Sequence, residues 1–175
     1  MSKNVVLIGF MGVGKGTIAR EIVKQSDIFA IDTDDLIESM ENRKIKKIFK
    51  EEGEEYFRRL EAKTAKWLEK NVKNTLISTG GGFYKVDNLN KIGKVVYLKS
   101  SFKAIIDRIK SHPNAQNKLK KRPLLKDLNK AKKLYESRIK DYEKKADIII
   151  DVENKTPEDI AKEIIKKAKI EKRKK

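Results

Sequence analysis

The sequence predicts an α/β fold, a parallel sheet with helices on both faces, and three observations predict it. Short apolar runs alternate with segments of helical period, as successive strand, crossover and strand units require. The glycine-rich motifs stand directly after such runs, at the carboxyl ends where a parallel sheet binds its ligands. At 175 residues the chain has room for one domain with a real core and none for a second of similar size.

Residues 5–8, Val-Val-Leu-Ile, read as the first strand, because an unbroken apolar run suits a strand buried on both faces. Residues 17–25 follow as a helix with Ile18, Ile22 and Val23 on one side, and residues 29–32 as the second strand. Over 48–68 a long helical pattern sets Phe57, Leu60, Thr64 and Trp67 at three-to-four spacing, which predicts a stripe lying on the sheet. Residues 75–79, 95–98 and 147–151 are the remaining strands. Residues 112–127, with Pro113, Pro123 and a lysine cluster, hold no sustained apolar period and predict a functional or disordered segment. The closing helix opens on Thr156 as N-cap, Pro157 at the first helical position and two carboxylates, Glu158 and Asp159, near its positive end. Its buried face is Ile160, Ile164, Ile165 and Ala168, and the basic residues 172–175 beyond it are expected to fray.

The formal charge of +17 favours anionic partners, whether nucleotides, carboxylates or nucleic acid. Of the 43 cations 35 are lysines spread along every segment, which reads as solvated surface rather than a nucleic-acid face. The eight arginines are more informative, since a planar guanidinium grips carboxylate or phosphate in a geometry lysine cannot copy. No cysteine is present, which excludes disulfides, thiolate metal sites and a cysteine nucleophile. No apolar stretch approaches the ~18 residues of a membrane span, so a cytoplasmic protein is expected.

Residues 9–17, Gly-Phe-Met-Gly-Val-Gly-Lys-Gly-Thr, lie between the first strand and the first helix and fit a phosphate-binding loop. Backbone N–H groups freed by the glycines face phosphate oxygens, the helix start adds positive potential, and Lys15 reaches the β and γ phosphates. Gly12, Val13, Gly14, Lys15, Gly16 and Thr17 are the predicted contacts. Gly16 stands where the motif carries Ser or Thr, whose hydroxyl ligates Mg²⁺, so the metal geometry is expected to differ.

Gly80, Gly81 and Gly82 follow the third strand. Three consecutive glycines suggest main chain brought close to something bulky, such as a substrate ring, although a loose turn would read the same way. Asp32-Thr33-Asp34-Asp35 closes the second strand beside the expected γ-phosphate. Asp32 is assigned to the metal through water and Asp34 to the acceptor hydroxyl, with helix capping by Thr33 or Asp34 as the competing reading. Arg58 lies about 100° off the apolar stripe of its helix, free to pair with a carboxylate or simply with Glu54 one turn away. Arg122 sits in the irregular segment, where a closing lid would deliver a cation onto phosphates. Arg108 and Arg138 flank that segment.

Taken in order and spacing, these residues resemble shikimate kinase from residue 5 to about 157. The pieces are the loop with its inner Met11, Asp32-Thr33-Asp34, Ile48-Phe49 through Gly53-Glu54 to Phe57-Arg58 and Glu61, Thr79 to Gly82, Arg122-Pro123-Leu124-Leu125, and Leu134-Tyr135 with Arg138 and Tyr142. The resemblance implies a P-loop kinase, a three-layer α/β/α sandwich with a five-stranded parallel sheet in the order 2-3-1-4-5. It implies a single kinase domain over residues 1–170, with a mobile lid at about 112–127, a shikimate-binding region at about 33–62 and a frayed tail at 171–175. The reaction implied is ATP-dependent phosphorylation of the shikimate 3-hydroxyl, giving ADP and 3-phosphoshikimate, on the route to chorismate and the aromatic amino acids.

Carried onto this chain, the resemblance makes Asp34 the base, with Lys15 and Arg122 neutralising charge on the transferred phosphoryl group. Arg58 and Arg138 grip the carboxylate, Gly80, Gly81 and Gly82 pack against the ring, and Arg108 and Asn154 border the adenine. ATP and shikimate are the expected partners, with Mg²⁺ as cofactor and the protein a monomer. A nucleoside monophosphate kinase, which Gly16 favours, and a basic nucleic-acid-binding protein on an inactive kinase scaffold are the competing readings.

Overall fold

Val5, Val6, Leu7 and Ile8 are almost wholly buried because β1 (Asn4–Ile8) is the central strand of a parallel sheet covered by helices on both faces. In the computed structural model residues 4–120 and 123–173 are described. β2 (Phe29–Asp32), β3 (Thr75–Ser78), β4 (Gly93–Lys99) and β5 (Ile148–Asp151) complete a five-stranded sheet in the order β2-β3-β1-β4-β5, every pair parallel. Val6 aligns with Ile77 on one side and Val95 on the other, while Asp32 aligns with Ser78 at the far end of β3. The expected sheet order is the observed one. Because β1 lies between β3 and β4, successive crossovers diverge from it, and a crevice opens at its carboxyl end.

α1 (Lys15–Gln25) and α8 (Pro157–Ala168) lie against each other, with Ile18 and Ile22 of one and Ile160, Ile164 and Ile165 of the other buried. Thr156 caps α8 as expected, its hydroxyl accepting from Asp159 N at 3.1 Å. The chain runs from β2 straight into α2 (Thr33–Glu41), and the cap there is Asp32, not Thr33 or Asp34: its Oδ1 accepts from Asp34 N at 2.9 Å and from Asp35 N at 3.4 Å. A carboxylate at this position satisfies orphan N–H groups and faces the positive helix end.

α3 (Ile45–Asn71) is two helical pieces joined at Gly53, whose φ of 82° and ψ of 176° suit only glycine. Beyond that break the buried stripe is Phe57, Leu60, Glu61, Thr64, Ala65 and Leu68. Trp67, expected in the stripe, is 49% exposed, because at 3.6 residues per turn it falls about 90° from the centre of the buried residues, whereas Leu68 falls near their middle. Ile37 of α2 joins Ile48, Phe57 and Leu60 in a second, smaller core beside the main one, closed by Ile45 and Tyr56.

After β3 come a 3₁₀ turn (Phe83–Lys85) and α4 (Leu89–Ile92), and after β4 comes α5 (Phe102–Lys110), capped by Ser101. The irregular stretch over 112–127 is not structureless: α6 (Ala115–Lys120) and a second 3₁₀ turn (Pro123–Lys126) occupy most of it, with Leu125 buried in the main core. α7 (Leu128–Lys145) follows, capped by Asp127. The fraying expected of the basic tail does not reach Lys172 or Arg173. Lys172 bridges to Ser26, and Arg173 N donates to Gln25 O at 3.3 Å. Among the described residues no helix is long and apolar enough to cross a membrane.

Candidate active site

The ends of β1, β2 and β3 carry the predicted chemistry, and short polar bonds fix them to one another. Thr79 Oγ1 donates to Leu7 O at 2.8 Å, tying the end of β3 to β1. Gly80 N donates to Thr33 Oγ1 at 3.2 Å, tying the glycine run to the first turn of α2. These bonds set the spacing between the phosphate loop, Asp34 and the glycines.

The phosphate loop turns through left-handed backbone at Gly12 (φ 84°) and Gly14 (φ 105°), and α1 starts at Lys15. Val13 is buried, and Gly16 and Thr17 lie in the first turn. Lys15, 8% exposed, donates through Nζ to Gly9 O at 2.6 Å and Phe10 O at 3.2 Å, which holds its ammonium inside the curve of the loop. Arg108 of α5 closes the other side, Nη1 donating to Gly12 O at 3.0 Å. Its guanidinium fills the space beside Gly14, where a Cβ would come 2.6 Å from Nη2. Burial pushes the Arg108 pKa below its ordinary value, a sign of a guanidinium held partly out of water.

Each of the three glycines faces a different functional group. A Cβ on Gly80 would stand 2.8 Å from Asp34 Oδ1, and one on Gly81 would stand 3.3 Å from Arg138 Nη1 and 3.5 Å from Met11 N of the phosphate loop. The Arg58 guanidinium takes the space beside Gly82, its Cζ 2.7 Å from such a Cβ. Tyr142 donates to Gly81 O at 2.6 Å and stacks on Tyr97, so α7 holds the run against the sheet.

Asp34 Oδ1 is buried with no partner, and burial raises its pKa to about 7, with Asp32 and Glu61 adding to the shift and Lys15 opposing it. Asp34 and Lys15 therefore share one electrostatic neighbourhood. Arg58 Nη1 donates to Glu61 Oε2 at 2.6 Å and Nη2 to Glu54 Oε1 at 2.8 Å, so the expected pair with Glu54 is present and a second carboxylate of the same helix, Glu61, joins it. Glu61 is 2% exposed, its Oε1 has no partner, and burial raises its pKa. Arg138, 6% exposed on α7, has Nε unpartnered. Beside Arg58 and Glu61 opens a groove of about 550 Å³ that Glu54, Lys85 and Asp87 also line, and neither Lys15 nor Asp34 reaches it.

Two predicted residues stand apart. Asn154 lies in the exposed turn after β5 with φ 56°, and among the described residues it makes no hydrogen bond to the phosphate loop or Arg108. Arg122 lies outside the described residues. Residues given no separate task by the sequence also matter: Thr33, Thr79 and Tyr142 anchor backbone, and Glu61 holds Arg58. Glu61 alone carried a local signal, three residues beyond Arg58 on one helix face.

The donors present suit a magnesium ion carried by nucleotide phosphates. Asp32 keeps Oδ2 clear of the capping bonds, and a hard cation that retains its waters needs only one or two such carboxylates. Residue 16 adds no oxygen, and among the described residues no cluster of three His, Asp or Glu side chains is placed to hold a metal.

A family profile described as shikimate kinase matches residues 11–169. The chain belongs to the shikimate kinase family. It is 41% identical over 163 residues to the shikimate kinase of Helicobacter hepaticus, spanning 93% of this chain and 94% of that one. It is 40% identical over 172 residues to that of a Sulfurihydrogenibium species, spanning 95% and 98%. Among solved structures, the shikimate kinase from Acinetobacter baumannii in complex with shikimate superposes with a TM-score of 0.80 at 28% identity, covering 95% of this chain and 92% of that one. As a member of the shikimate kinase family the chain is an enzyme, a P-loop kinase, and both the fold and the family expected of it stand.

Proposed function

We propose that the chain transfers the γ-phosphate of ATP to the 3-hydroxyl of shikimate, with the acceptor lying on Gly80, Gly81 and Gly82 between Asp34 and the two arginines. One observation carries this reading. The glycine run touches the phosphate loop at Met11, the base at Asp34 and both cations, Arg58 and Arg138, within three consecutive residues. A small hydroxylated carboxylate fits such a floor, with a cationic end, an acidic middle and a phosphate site beyond.

Phosphoryl transfer through a loose transition state asks for alignment and charge neutralisation more than for a strong base. Asp34, with a pKa of about 7, accepts the hydroxyl proton as the new bond forms. Lys15 leaves its two carbonyl partners for the γ-phosphate, and Arg122 joins it from the lid segment at 112–127. Arg58, oriented by Glu61, and Arg138 hold the carboxylate. Arg108 covers the adenine side, with Asn154 bordering it. Mg²⁺ bound with the nucleotide would offset charge on the β and γ phosphates, Asp32 holding it through water. Residues 33–62 form the acceptor-binding region of a single kinase domain. The second core of α2 and α3 supports that division.

We take the enzyme to act as a cytoplasmic monomer on these two free anions. Among the described residues the exposed large apolar side chains are spread over five elements, Phe29 on β2, Met40 on α2, Phe49 and Trp67 on α3, Leu128 on α7 and Ile149 on β5, with Phe29 and Ile149 on opposite sheet edges. The test is ADP release from ATP with shikimate offered as acceptor, and AMP, CMP or gluconate in its place. Release with shikimate alone is expected. Release with AMP or CMP at a similar rate would hand the function to the nucleoside monophosphate kinase reading.

A further inference from the structure

Gly16 is where the phosphate loop departs from its motif, and neither backbone nor packing calls for glycine there. Its φ lies outside the left-handed region that Gly12 and Gly14 adopt. A Cβ on it would meet only Arg20 Nη1, at 3.6 Å. Helical side chains lean toward the N-terminus, so Arg20, one turn along α1, reaches back over the empty side of residue 16 toward the loop. Arg43, Arg58, Arg59 and Arg173 each face a carboxylate and Arg108 a carbonyl, but among the described residues Arg20 has no hydrogen-bond or ion-pair partner. An exposed guanidinium with a vacant fork thus stands beside the position from which a hydroxyl would have ligated the metal.

We propose that Arg20 binds the terminal phosphates of the nucleotide, taking over part of the charge neutralisation that a loop hydroxyl supplies through its metal ion. This rests on the nucleotide site proposed above. A guanidinium matches two phosphate oxygens at once and sheds its water more readily than an ammonium does, which suits a site at the mouth of the loop. It follows that nucleotide binding depends less on Mg²⁺ here than it would with Ser at position 16.

Calorimetric titration of ADP, once in EDTA and once in excess Mg²⁺, tests this on the wild type, Arg20→Ala, Arg20→Lys and Gly16→Ser. Arg20→Ala should weaken ADP in EDTA about tenfold, the scale of one hydrogen bond to a charged group, and by less in Mg²⁺. Arg20→Lys should recover part of the loss, and AMP, which lacks the β-phosphate, should bind both proteins alike. Gly16→Ser should widen the gap between the metal-free and magnesium affinities. Metal-free ADP affinity unchanged in Arg20→Ala would overturn the proposal and leave the nucleotide site intact, as would an equal loss for AMP and ADP. No ADP binding by the wild type would instead overturn the nucleotide site itself.

Discussion

Asp34 and Gly80 share one space: the carboxylate of Asp34 lies where a side chain on Gly80 would begin, 2.8 Å from a Cβ built there. Asp34 is on the first turn of α2 and Gly80 is held to that turn through Thr33 Oγ1, so neither can yield far without the other. Gly80→Ala should therefore displace Asp34, the base proposed above, rather than unfold the chain. A misplacement near 1 Å at a reacting group can cost roughly 10²-fold in rate, so kcat should fall on that scale while the melting temperature changes little. Steady-state kinetics beside a thermal melt check this, and an unchanged kcat would detach Asp34 from the chemistry.

The pH dependence of Asp34 has a defined sign. Its pKa in the folded chain is about 7 against an ordinary 3.8, so between those values the folded state keeps a proton that the unfolded state has released. Stability from this group is present below the unfolded value and is lost as pH rises through the folded one. Asp34→Asn removes the buried charge, so the variant should melt higher than the wild type at pH 8, the advantage shrinking as pH falls toward 4. Each kcal/mol recovered raises the melting temperature of a chain this long by about 2 to 4 °C. For activity the sign reverses: kcat/KM should climb with pH and level off above about 7 as the free enzyme's base ionises, and a flat profile from pH 5.5 to 8.5 would contradict the assignment.

Much of this site was legible because its motifs sit in fixed places relative to the strands. The loop after β1, the acidic run after β2 and the glycines after β3 place three of the site's walls on neighbouring strand ends, while the sheet order and the roles of the arginines had to come from resemblance. What escaped the reading was contact between groups remote in the chain. Thr79 bonds to Leu7 across 72 positions, and Tyr142 to Gly81 across 61, and neither residue differs locally from an ordinary strand or helix residue. The phase error at Trp67 has another cause: a three-to-four spacing read from four residues leaves the centre of the stripe loosely fixed, and the buried Glu61, Ala65 and Leu68 put that centre about 90° from Trp67. The capping role of Asp32 was displaced onto Thr33 and Asp34 because α2 begins with no loop after β2.

Arg58 and Arg138 should separate from Lys15 in kinetics. If Arg58 and Arg138 hold the acceptor carboxylate as proposed, Arg58→Ala and Arg138→Ala should chiefly raise KM for shikimate, whereas Lys15→Ala should chiefly lower kcat. Glu61→Gln keeps the volume and one acceptor for Arg58 while removing the buried charge, so it should raise KM a few fold without unfolding the protein. Glu61→Ala leaves Arg58 with Glu54 as its remaining partner and opens a space in the core, so it should also lower the melting temperature. KM for shikimate unchanged in both arginine variants would remove the carboxylate clamp.

Gly53 offers a test in which two rules predict opposite signs. Within an ordinary helix, Gly→Ala stabilises by about 1 kcal/mol, and the long pattern over 48–68 invites that expectation. The backbone at Gly53, φ 82° and ψ 176°, is instead a conformation that only glycine holds cheaply, costing another residue about 1 to 3 kcal/mol. A Cβ there meets nothing within 4 Å, so packing cannot confuse the result. Gly53→Ala should lower the melting temperature and raise KM for shikimate. The piece before the break carries Ile48 into the second core and the piece after it carries Arg58, and an alanine pressing toward one continuous helix would rotate the two against each other. A variant that melts higher than the wild type would mean that α3 runs through residue 53 without the break.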